Sequence, residues 1–253
     1  MTILKVIFTF FVKLYSRFTL LLPSFISKRF RSEVALEILP SYKIKTKYGD
    51  IFFVGMGKIS DWRYRTFFKK EPETLNWIDS MTKNDTLWDI GANIGLYSVY
   101  AAKKGLNVFS FEPSINNLFL LEKNVKINNF QNLKIFPCAI SNLSGIGNLE
   151  LSSDEIGAAM NKINSDEALI SQLSSVYSID KLVSQSIIKF PNYIKIDVDN
   201  IEYEIINGMK KSLKNKNLKG ILVELDEKDV RIDEIIDLFK KNNFTLHEKA
   251  NSD

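Results

Sequence analysis

The chain has 253 residues, 45% of them hydrophobic, which is enough to bury the core of one α/β domain with an N-terminal extension. A single cysteine, Cys138, and a single histidine, His247, exclude an internal disulfide framework, a cysteine-based zinc cluster and a multi-histidine metal site. The net charge of +4 is uneven: residues 1–70 hold 14 basic and 4 acidic side chains, which predicts a basic attachment end and an acidic catalytic body.

The N-terminal segment, residues 3–22, has the periodicity of one helix that ends before Pro23. Apolar and aromatic side chains fill one side of this helix. The opposite side holds Lys5, Thr9, Lys13, Ser16 and Arg17. We interpret the segment as an interfacial helix on a membrane surface, with packing on the catalytic domain or on a second copy, and a true span, as the alternatives. Two internal cations interrupt the apolar run that a span needs, and no small-residue cleavage site follows.

Downstream, apolar residues alternating with lysines predict a small hairpin over 41–54, and a helix is predicted over 72–81. Strands and helices then alternate, which is typical of a doubly wound, mostly parallel sheet. The predicted strands are 86–90, 107–112, 133–138, 193–197 and 220–225, and the predicted helices are 95–104, 115–128, 201–213 and 231–242. The sequence therefore predicts an α/β fold in three parts. These are a basic helix over 1–32, a hairpin and linker over 33–70, and a catalytic domain over 71–253.

Residues 143–180 interrupt the alternation and are rich in serine, asparagine and glycine. We expect a short strand over 147–151 within them. Because ligands of open α/β sheets bind beyond the C-terminal ends of the strands, this insert could cover the substrate cleft, and a disordered surface loop is the alternative. Little sequence follows Phe244, so we expect little room for the antiparallel strands that usually close such a sheet.

The most informative stretch is residues 87–98, where an apolar strand leads to Asp89, turns through Gly91 and Gly95 and enters a helix pattern. Glycines at such a turn let the backbone approach a ligand, and the start of a helix carries partial positive charge. The next strand ends at Glu112, where a carboxylate can accept hydrogen bonds from ribose hydroxyls. Together these features predict a nucleoside cofactor at the C-terminal edge of a parallel sheet.

Two features favour S-adenosylmethionine over a nicotinamide dinucleotide. Asn93 stands where the G-x-G-x-x-G pattern has the glycine that lets a pyrophosphate approach the helix. A carboxylate at Asp89 would repel a pyrophosphate, whereas it suits the cationic amino-acid end of S-adenosylmethionine. The alternatives are a nicotinamide-dependent oxidoreductase and a plain strand-turn-helix in which Asp89 caps the helix.

Four blocks of residues resemble the FkbM family of S-adenosylmethionine-dependent methyltransferases. They are Glu71-Pro72-Glu73-Thr74 with Trp77-Ile78; Asp89 to Gly95 with Tyr97-Ser98; Phe111-Glu112-Pro113 with Asn124, Asn128 and Ala139-Ile140-Ser141; and residues 178–182 with the strand Ile194-Lys195-Ile196-Asp197-Val198. The resemblance implies a class I, Rossmann-like methyltransferase that acts on an oxygen atom, expected to be a sugar hydroxyl of a glycan or glycolipid. It also implies the cofactor-binding residues, which are Asp89, Gly91, Asn93, Gly95 and Ser98 in the turn, Glu112 at the ribose and Ala139 near the adenine.

The sequence departs from the family pattern after the Lys-Ile-Asp strand. Where the family usually has Glu-Gly, any residue and then Glu, this chain has Asp199-Asn200-Ile201-Glu202. Asparagine tolerates left-handed backbone better than most residues, so the turn can survive the loss of the glycine. If the site has decayed here, the chain would be a membrane-associated cofactor-binding module without turnover, which is the non-enzyme alternative.

Methyl transfer to a hydroxyl group requires alignment and a base that removes the proton. Asp197 is the first candidate, and Asp199 and Glu202 are further candidates together with Glu224. We expect no metal, although Asp197, Asp199 and Glu224 could converge on a divalent cation. We expect Cys138 to be a buried, small apolar residue.

The expected partner is a small-molecule or glycan acceptor, with peripheral membrane contact through residues 3–31. No base-stacking module or recognition helix accompanies the basic end, so we expect no nucleic-acid partner. A single cysteine fits a reducing cytoplasm, and the basic helix would place the protein at the inner face of the membrane.

Overall fold

The computed structural model describes residues 2–151, 156–158, 162–163, 170–186, 188–226 and 229–247, and the chain divides into two compact units, residues 1–40 and 41–253. The first unit consists of α1 (Thr2–Leu20) and α2 (Ser24–Glu37), with Pro23 immediately before α2. The predicted helix therefore ends near Pro23 as expected, but a second helix follows it, and the unit extends past the predicted boundary at residue 32. Within the described residues, no helix is long and apolar enough to cross a membrane.

The second unit begins with the predicted hairpin, formed by β1 (Ser41–Thr46) and β2 (Gly49–Val54). Two asparagines tie the hairpin to the rest of the unit, since Asn124 Oδ1 accepts from the Val54 amide (2.8 Å) and Asn128 Oδ1 from the Phe52 amide (2.9 Å). The helices α3 (Lys58–Lys70) and α4 (Pro72–Ser80) follow. The sequence predicted α4 but no helix at α3. The two asparagine hydrogen bonds to the hairpin explain why the compact unit starts at residue 41 and not at the predicted residue 71.

The central sheet contains the five predicted parallel strands. The part of the chain before the insert forms β3 (Thr86–Ile90), α5 (Leu96–Lys104), β4 (Asn107–Phe111), α6 (Ile115–Ile127) and β5 (Leu133–Phe136). The part of the chain after the insert forms β10 (Tyr193–Ile196), α8 (Glu202–Asn207), a 3₁₀ turn (Ser212–Lys214), β11 (Gly220–Val223) and α9 (Ile232–Lys241). The strand order is β11-β10-β3-β4-β5, all parallel, which confirms the predicted doubly wound α/β fold.

The strand order fixes where a ligand can bind. After β3 the chain builds β4 and β5 on one side and then returns to build β10 and β11 on the other. The loops after β3 and β10 therefore leave the sheet in opposite directions and open a crevice at the C-terminal ends of these strands. Apolar residues on both faces of the sheet are buried, with Leu87 and Val108 in one cluster and Trp88 and Ile194 in the other. The strands that form the floor of the crevice are therefore packed on both sides.

The insert, residues 143–180, forms part of a second sheet. It contains β7 (Gly145–Leu151), β8 (Lys162–Ile163) and β9 (Ile170–Tyr177), which join β6 (Ala139–Ile140) in the order β6-β9-β7-β8 before α7 (Ile179–Ser184). The predicted strand over 147–151 lies within β7. The described parts are thus ordered sheet where a disordered loop was the alternative, and residues 152–155, 159–161 and 164–169 lie outside the described residues.

One predicted helix is shorter than expected. The pattern over 201–213 gives α8, which ends at Asn207, and then the separate 3₁₀ turn. A Cβ atom at Gly208 would lie 2.3 Å from the carbonyl oxygen of Ser141, so the chain passes this point in close contact with another segment. The tertiary contact explains an interruption that helical periodicity did not show.

Candidate active site

The glycine turn between β3 and α5 packs tightly against the rest of the unit. Gly91 has a φ of +79°, and a Cβ atom there would lie 1.9 Å from the carbonyl oxygen of Asp197. Gly95 has a φ of +85°, and its Cβ atom would lie 2.3 Å from Cδ1 of Leu121. Both positions therefore require glycine, and at Gly91 the reason is direct contact with the end of β10. The turn and the predicted catalytic strand are built against each other.

The backbone amides of the turn already donate hydrogen bonds inside the protein. Their acceptors are the Phe111 carbonyl for Gly91 and Ala92, Glu112 Oε2 for Asn93, Asn93 Oδ1 for Ile94 and the Ala92 carbonyl for Gly95. A pyrophosphate at such a turn needs free amides as donors. The arrangement therefore does not suit a dinucleotide, in agreement with the sequence argument from Asn93.

Glu112 is the carboxylate that links the turn to the next strand. It is buried, and its oxygens accept hydrogen bonds from the amides of Asn93 and Ser114 (both 2.8 Å). Burial raises the pKa of Glu112 to about 7, although these two amides act in the opposite direction. The side chain lines the main cleft, beside Gly91 and Asn93, where the sequence predicted contact with the ribose.

Asp89 and Ser98 lie beneath the turn, not in the cleft. Both side chains are buried, and the Ser98 hydroxyl donates to Asp89 Oδ2 (2.5 Å). Burial raises the pKa of Asp89 above its usual value, while the ammonium group of Lys195, 3.9 Å from Oδ1, lowers it. Neither residue is among those that line the cleft, and the same holds for Gly95. Their predicted contact with the cofactor stays a prediction, and the observed contacts are structural.

Lys195 belongs to the Lys-Ile-Asp strand but is not among the predicted site residues, and it is the buried cation around which the nearby carboxylates gather. Its side chain is 1% exposed, its Nζ lies 2.5 Å from Asp197 Oδ2, and it sits 4.9 Å above the centre of the Tyr97 ring. Burial disfavours its charge, but Asp197 and Asp89 outweigh burial and hold its pKa above the usual value. The sequence feature that could have indicated this role is that Lys195 is the one charged residue in the otherwise apolar strand β10.

Three carboxylates from distant parts of the chain meet in the lining of the cleft. One oxygen each of Glu71, Asp197 and Glu224 lies within 4.8 Å of the others. Burial raises the pKa of Asp197, but Lys195 outweighs this effect and keeps it below the usual value. Burial, together with the charge of Asp197 and the hydrogen bond that the two side chains share, raises the pKa of Glu224 to about 7.

This carboxylate cluster has the ligand type and spacing that a divalent cation could use. It differs from the predicted set, because Glu71 and not Asp199 joins Asp197 and Glu224. Two lysines already neutralise part of its charge, since Lys195 pairs with Asp197 and Lys70 pairs with Glu71 (2.5 Å). The same carboxylates can therefore also serve as an acceptor for a hydroxyl proton.

The divergent segment after β10 keeps the turn. Asn200 has a φ of +69°, so asparagine adopts the left-handed conformation in place of the glycine that the family usually has. Glu202 is the first residue of α8 and is buried rather than on a solvated helix face, and burial raises its pKa to about 7. Asp199 and Glu202 both line the cleft. The departure in sequence therefore does not remove the acidic groups from the site.

The cleft has a volume of about 1950 Å³ and collects most of the predicted site residues. Those that line it are Gly91, Asn93, Glu112, Ala139, Asp197, Asp199 and Glu202. Ala139 and its neighbour Cys138 are buried, and burial raises the pKa of the Cys138 thiol to about 12, as expected for an unreactive apolar position.

A short piece of the insert crosses the cleft beside the glycine turn. The Asn93 side-chain amide donates to the Ala158 carbonyl (3.0 Å), Arg63 Nε donates to the Gly157 carbonyl (2.8 Å), and the Gly157 amide donates to Asn117 Oδ1 (2.9 Å). Arg63, Asn117 and Ala158 also line the cleft. The insert therefore reaches the cleft, as one of the two sequence interpretations predicted, and Arg63 is a contact that the sequence did not indicate.

Comparison with known proteins matches this chain to a family model and to a curated relative. Residues 89–246 match the model of the methyltransferase FkbM domain. The hexuronic acid methyltransferase AglP of Haloferax volcanii is 27% identical over 174 residues, which cover 67% of this chain and 69% of that protein.

Among solved structures, a precorrin-6y C5,15-methyltransferase from Geobacter metallireducens is 14% identical over 69% of this chain and 70% of its own, with a TM-score of 0.41. A methyltransferase FkbM from Methylobacillus flagellatus is 19% identical over 53% of this chain and 31% of its own, with a TM-score of 0.37.

Proposed function

The chain belongs to the FkbM methyltransferase family, and on this basis we propose that it transfers a methyl group from S-adenosylmethionine to a sugar hydroxyl of a glycan or glycolipid. The observation that carries the proposal is the Asp197 and Glu224 carboxylate pair, which lines the cleft at the C-terminal ends of β10 and β11. Because the Asp197 carbonyl touches Gly91, the pair lies directly beside the glycine turn. With a methyltransferase established, the nicotinamide-dependent oxidoreductase has no support.

The residues beside the turn fit a nucleoside cofactor. The Gly91 position cannot hold a Cβ atom, and Asn93 and Glu112 line the adjacent wall of the cleft. We expect Glu112 to accept hydrogen bonds from the ribose and Ala139 to lie against the adenine. S-adenosylmethionine, when bound, supplies a methyl group on a positively charged sulfur whose thioether leaves readily.

The chain's own residues then orient the acceptor and take its proton. Lys195 keeps Asp197 ionised, so that at neutral pH Asp197 accepts a hydrogen bond from the acceptor hydroxyl and aligns its oxygen. Asp197 takes up the proton as the new oxygen–carbon bond forms. Glu224, with a pKa near 7, can exchange this proton with solvent.

The acceptor class comes from the family and from the named relative, which acts on a hexuronic acid. Arg63 and Lys70 line the same cleft, and their positive charge would favour an acidic sugar although Arg63 also binds the Gly157 carbonyl and Lys70 also pairs with Glu71. We place the reaction in the cytoplasm, at the inner face of the membrane, where a lipid-linked acceptor would be presented.

The test combines cofactor binding with product analysis. S-adenosylmethionine is titrated by calorimetry, with NAD for comparison, into the wild type and into Glu112→Ala, and methyl transfer is then followed on uronic-acid and neutral glycans by mass spectrometry. We expect weaker S-adenosylmethionine binding in Glu112→Ala and a methyl ether on a sugar oxygen in the wild-type product. Binding without turnover on any acceptor would instead support the non-enzyme alternative.

The predicted base is tested by Asp197→Asn, with Asp50→Asn on the hairpin as the matched exposed control. Asp197→Asn should keep S-adenosylmethionine binding and lose about 10²–10⁴-fold in turnover. Asp50→Asn should change neither quantity. A turnover within a few-fold of the wild type in Asp197→Asn would contradict the assignment.

A further inference from the structure

The two helices of the first unit contact each other through polar groups. Arg31 of α2 donates from Nε to the Thr19 hydroxyl (2.6 Å) and from Nη2 to the Ser16 carbonyl (2.8 Å). Thr19 and Ser27 are fully buried or nearly so, and the Tyr15 and Phe30 rings, 6.1 Å apart, add an aromatic contact. A helix pair in water normally buries its apolar stripes, whereas the side chains described for this pair place polar groups between the helices and apolar groups outside.

The apolar side chains of α1 face outward. Ile7, Phe11, Leu14 and Phe18 are spaced four, three and four residues apart, which places them on one side of the helix, away from Ser16 and Thr19. All four are exposed, Phe18 to 59%. The surface continues at the junction with α2, where Leu21 is 83% and Phe25 is 72% exposed. We call this set, from Ile7 to Phe25, the apolar face.

Cations accompany the apolar face, and the first acidic residue of the chain, Glu33 of α2, pairs with Arg29 (2.8 Å). Residues 2–32 contain six lysine and arginine residues and no aspartate or glutamate. Lys13, Arg17 and Lys28 are exposed. A second copy of the chain would bring like charges together, whereas a bilayer surface offers hydrocarbon for the aromatic rings and anionic headgroups for the cations.

From this arrangement we infer that the α1–α2 pair binds the surface of an anionic lipid bilayer through the apolar face. The rings enter the boundary between headgroups and acyl chains while the polar contact between the helices stays intact. Neither helix needs to cross the bilayer, in keeping with the apolar content of the described helices. This binding does not depend on the identity of the methyl acceptor.

The experiment is flotation of the full chain with vesicles of phosphatidylcholine alone and with vesicles that also contain phosphatidylglycerol. One variant combines Phe11→Ser with Phe18→Ser, and another combines Lys13→Gln with Arg17→Gln. The matched control replaces Ile146 and Leu173 with serine, since both are exposed apolar residues of the second sheet. S-adenosylmethionine binding by each variant shows that the catalytic unit is folded.

We expect the wild type and the control to float with anionic vesicles. Removal of the two cations should lower partitioning about 25-fold, from about fivefold for each charge near the surface. Removal of the two rings should lower it at least about tenfold. The inference is overturned if the wild type does not float, or if it floats equally with neutral vesicles. It is also overturned if lipid-free protein forms dimers that Phe11→Ser with Phe18→Ser abolishes, because a second copy then covers the face.

Discussion

Replacement of Lys195 by methionine tests the electrostatic core of the candidate site. Methionine retains most of the side-chain volume, so the change removes the charge with little change in packing. The variant leaves Asp89 fully buried and Asp197 partly buried, 3.9 Å and 2.5 Å from where the ammonium group was. The cost therefore arises from two carboxylates that lose their counter-ion in a poorly solvated region.

The expected loss of stability is about 3–5 kcal/mol at pH 7, the usual cost of removing one partner from a buried ion pair. This is a large part of the stability of a typical domain, which is about 5–15 kcal/mol. Urea denaturation followed by circular dichroism measures the free energy of unfolding of the two proteins.

The pH dependence gives a sharper criterion than the single value. In the folded wild type the pKa of Lys195 is raised above 10.5 and that of Asp197 is lowered below 3.8, so the stabilisation from the pair is complete between these two values. In Lys195→Met the pKa of Asp89 and of Asp197 should rise, because the cation is gone. These groups then take up protons as the pH falls, so the deficit should be smaller at pH 5 than at pH 7.

Lys43→Met is the matched control, because Lys43 pairs with Asp50 at 2.6 Å on the exposed hairpin. Its stability should hardly change at either pH, as is usual for a surface pair. A loss below about 1 kcal/mol for Lys195→Met at pH 7, or a deficit that does not depend on pH, would refute the role of Lys195 as the buried counter-ion.

Two further variants test the glycine turn and the insert. Gly91→Ala should fail to give a folded protein, by circular dichroism, because its Cβ atom would overlap the Asp197 carbonyl. Gly57→Ala is the control, because its φ of +96° and ψ of 175° strain an alanine by about 1–3 kcal/mol but no atom lies within 4 Å of the added Cβ atom. Equal losses in the two variants would contradict the contact. Arg63→Gln should weaken S-adenosylmethionine binding several-fold in calorimetry, because the segment at Gly157 loses the hydrogen bond from Arg63. Arg65→Gln, at an exposed position of the same helix, should not change the affinity. Unchanged affinity in Arg63→Gln would show that this segment does not support the cofactor site.

Much of the fold could be read from local patterns. The five parallel strands and the helices between them have short apolar runs, glycine turns and helical periodicity, each of which depends on neighbouring residues. The patterns failed where a distant contact decided the outcome. The α3 helix is polar in sequence but buries Tyr64 and Phe67 against the hairpin and α5, and the helix predicted to reach 213 stops where Gly208 meets Ser141.

The sequence by itself determined the fold class, the family and the position of the glycine turn, because these depend on residue spacing within single strand-turn-helix segments. Only the tertiary structure showed that Asp89 lies beneath the turn as a buried counter-charge to Lys195, and that Glu71 joins Asp197 and Glu224 at the cleft. These three carboxylates lie far apart in the chain, and no local pattern reports which segments meet. Burial and the resulting pKa values follow from that meeting, since they depend on the dielectric surroundings and charges that the folded chain assembles.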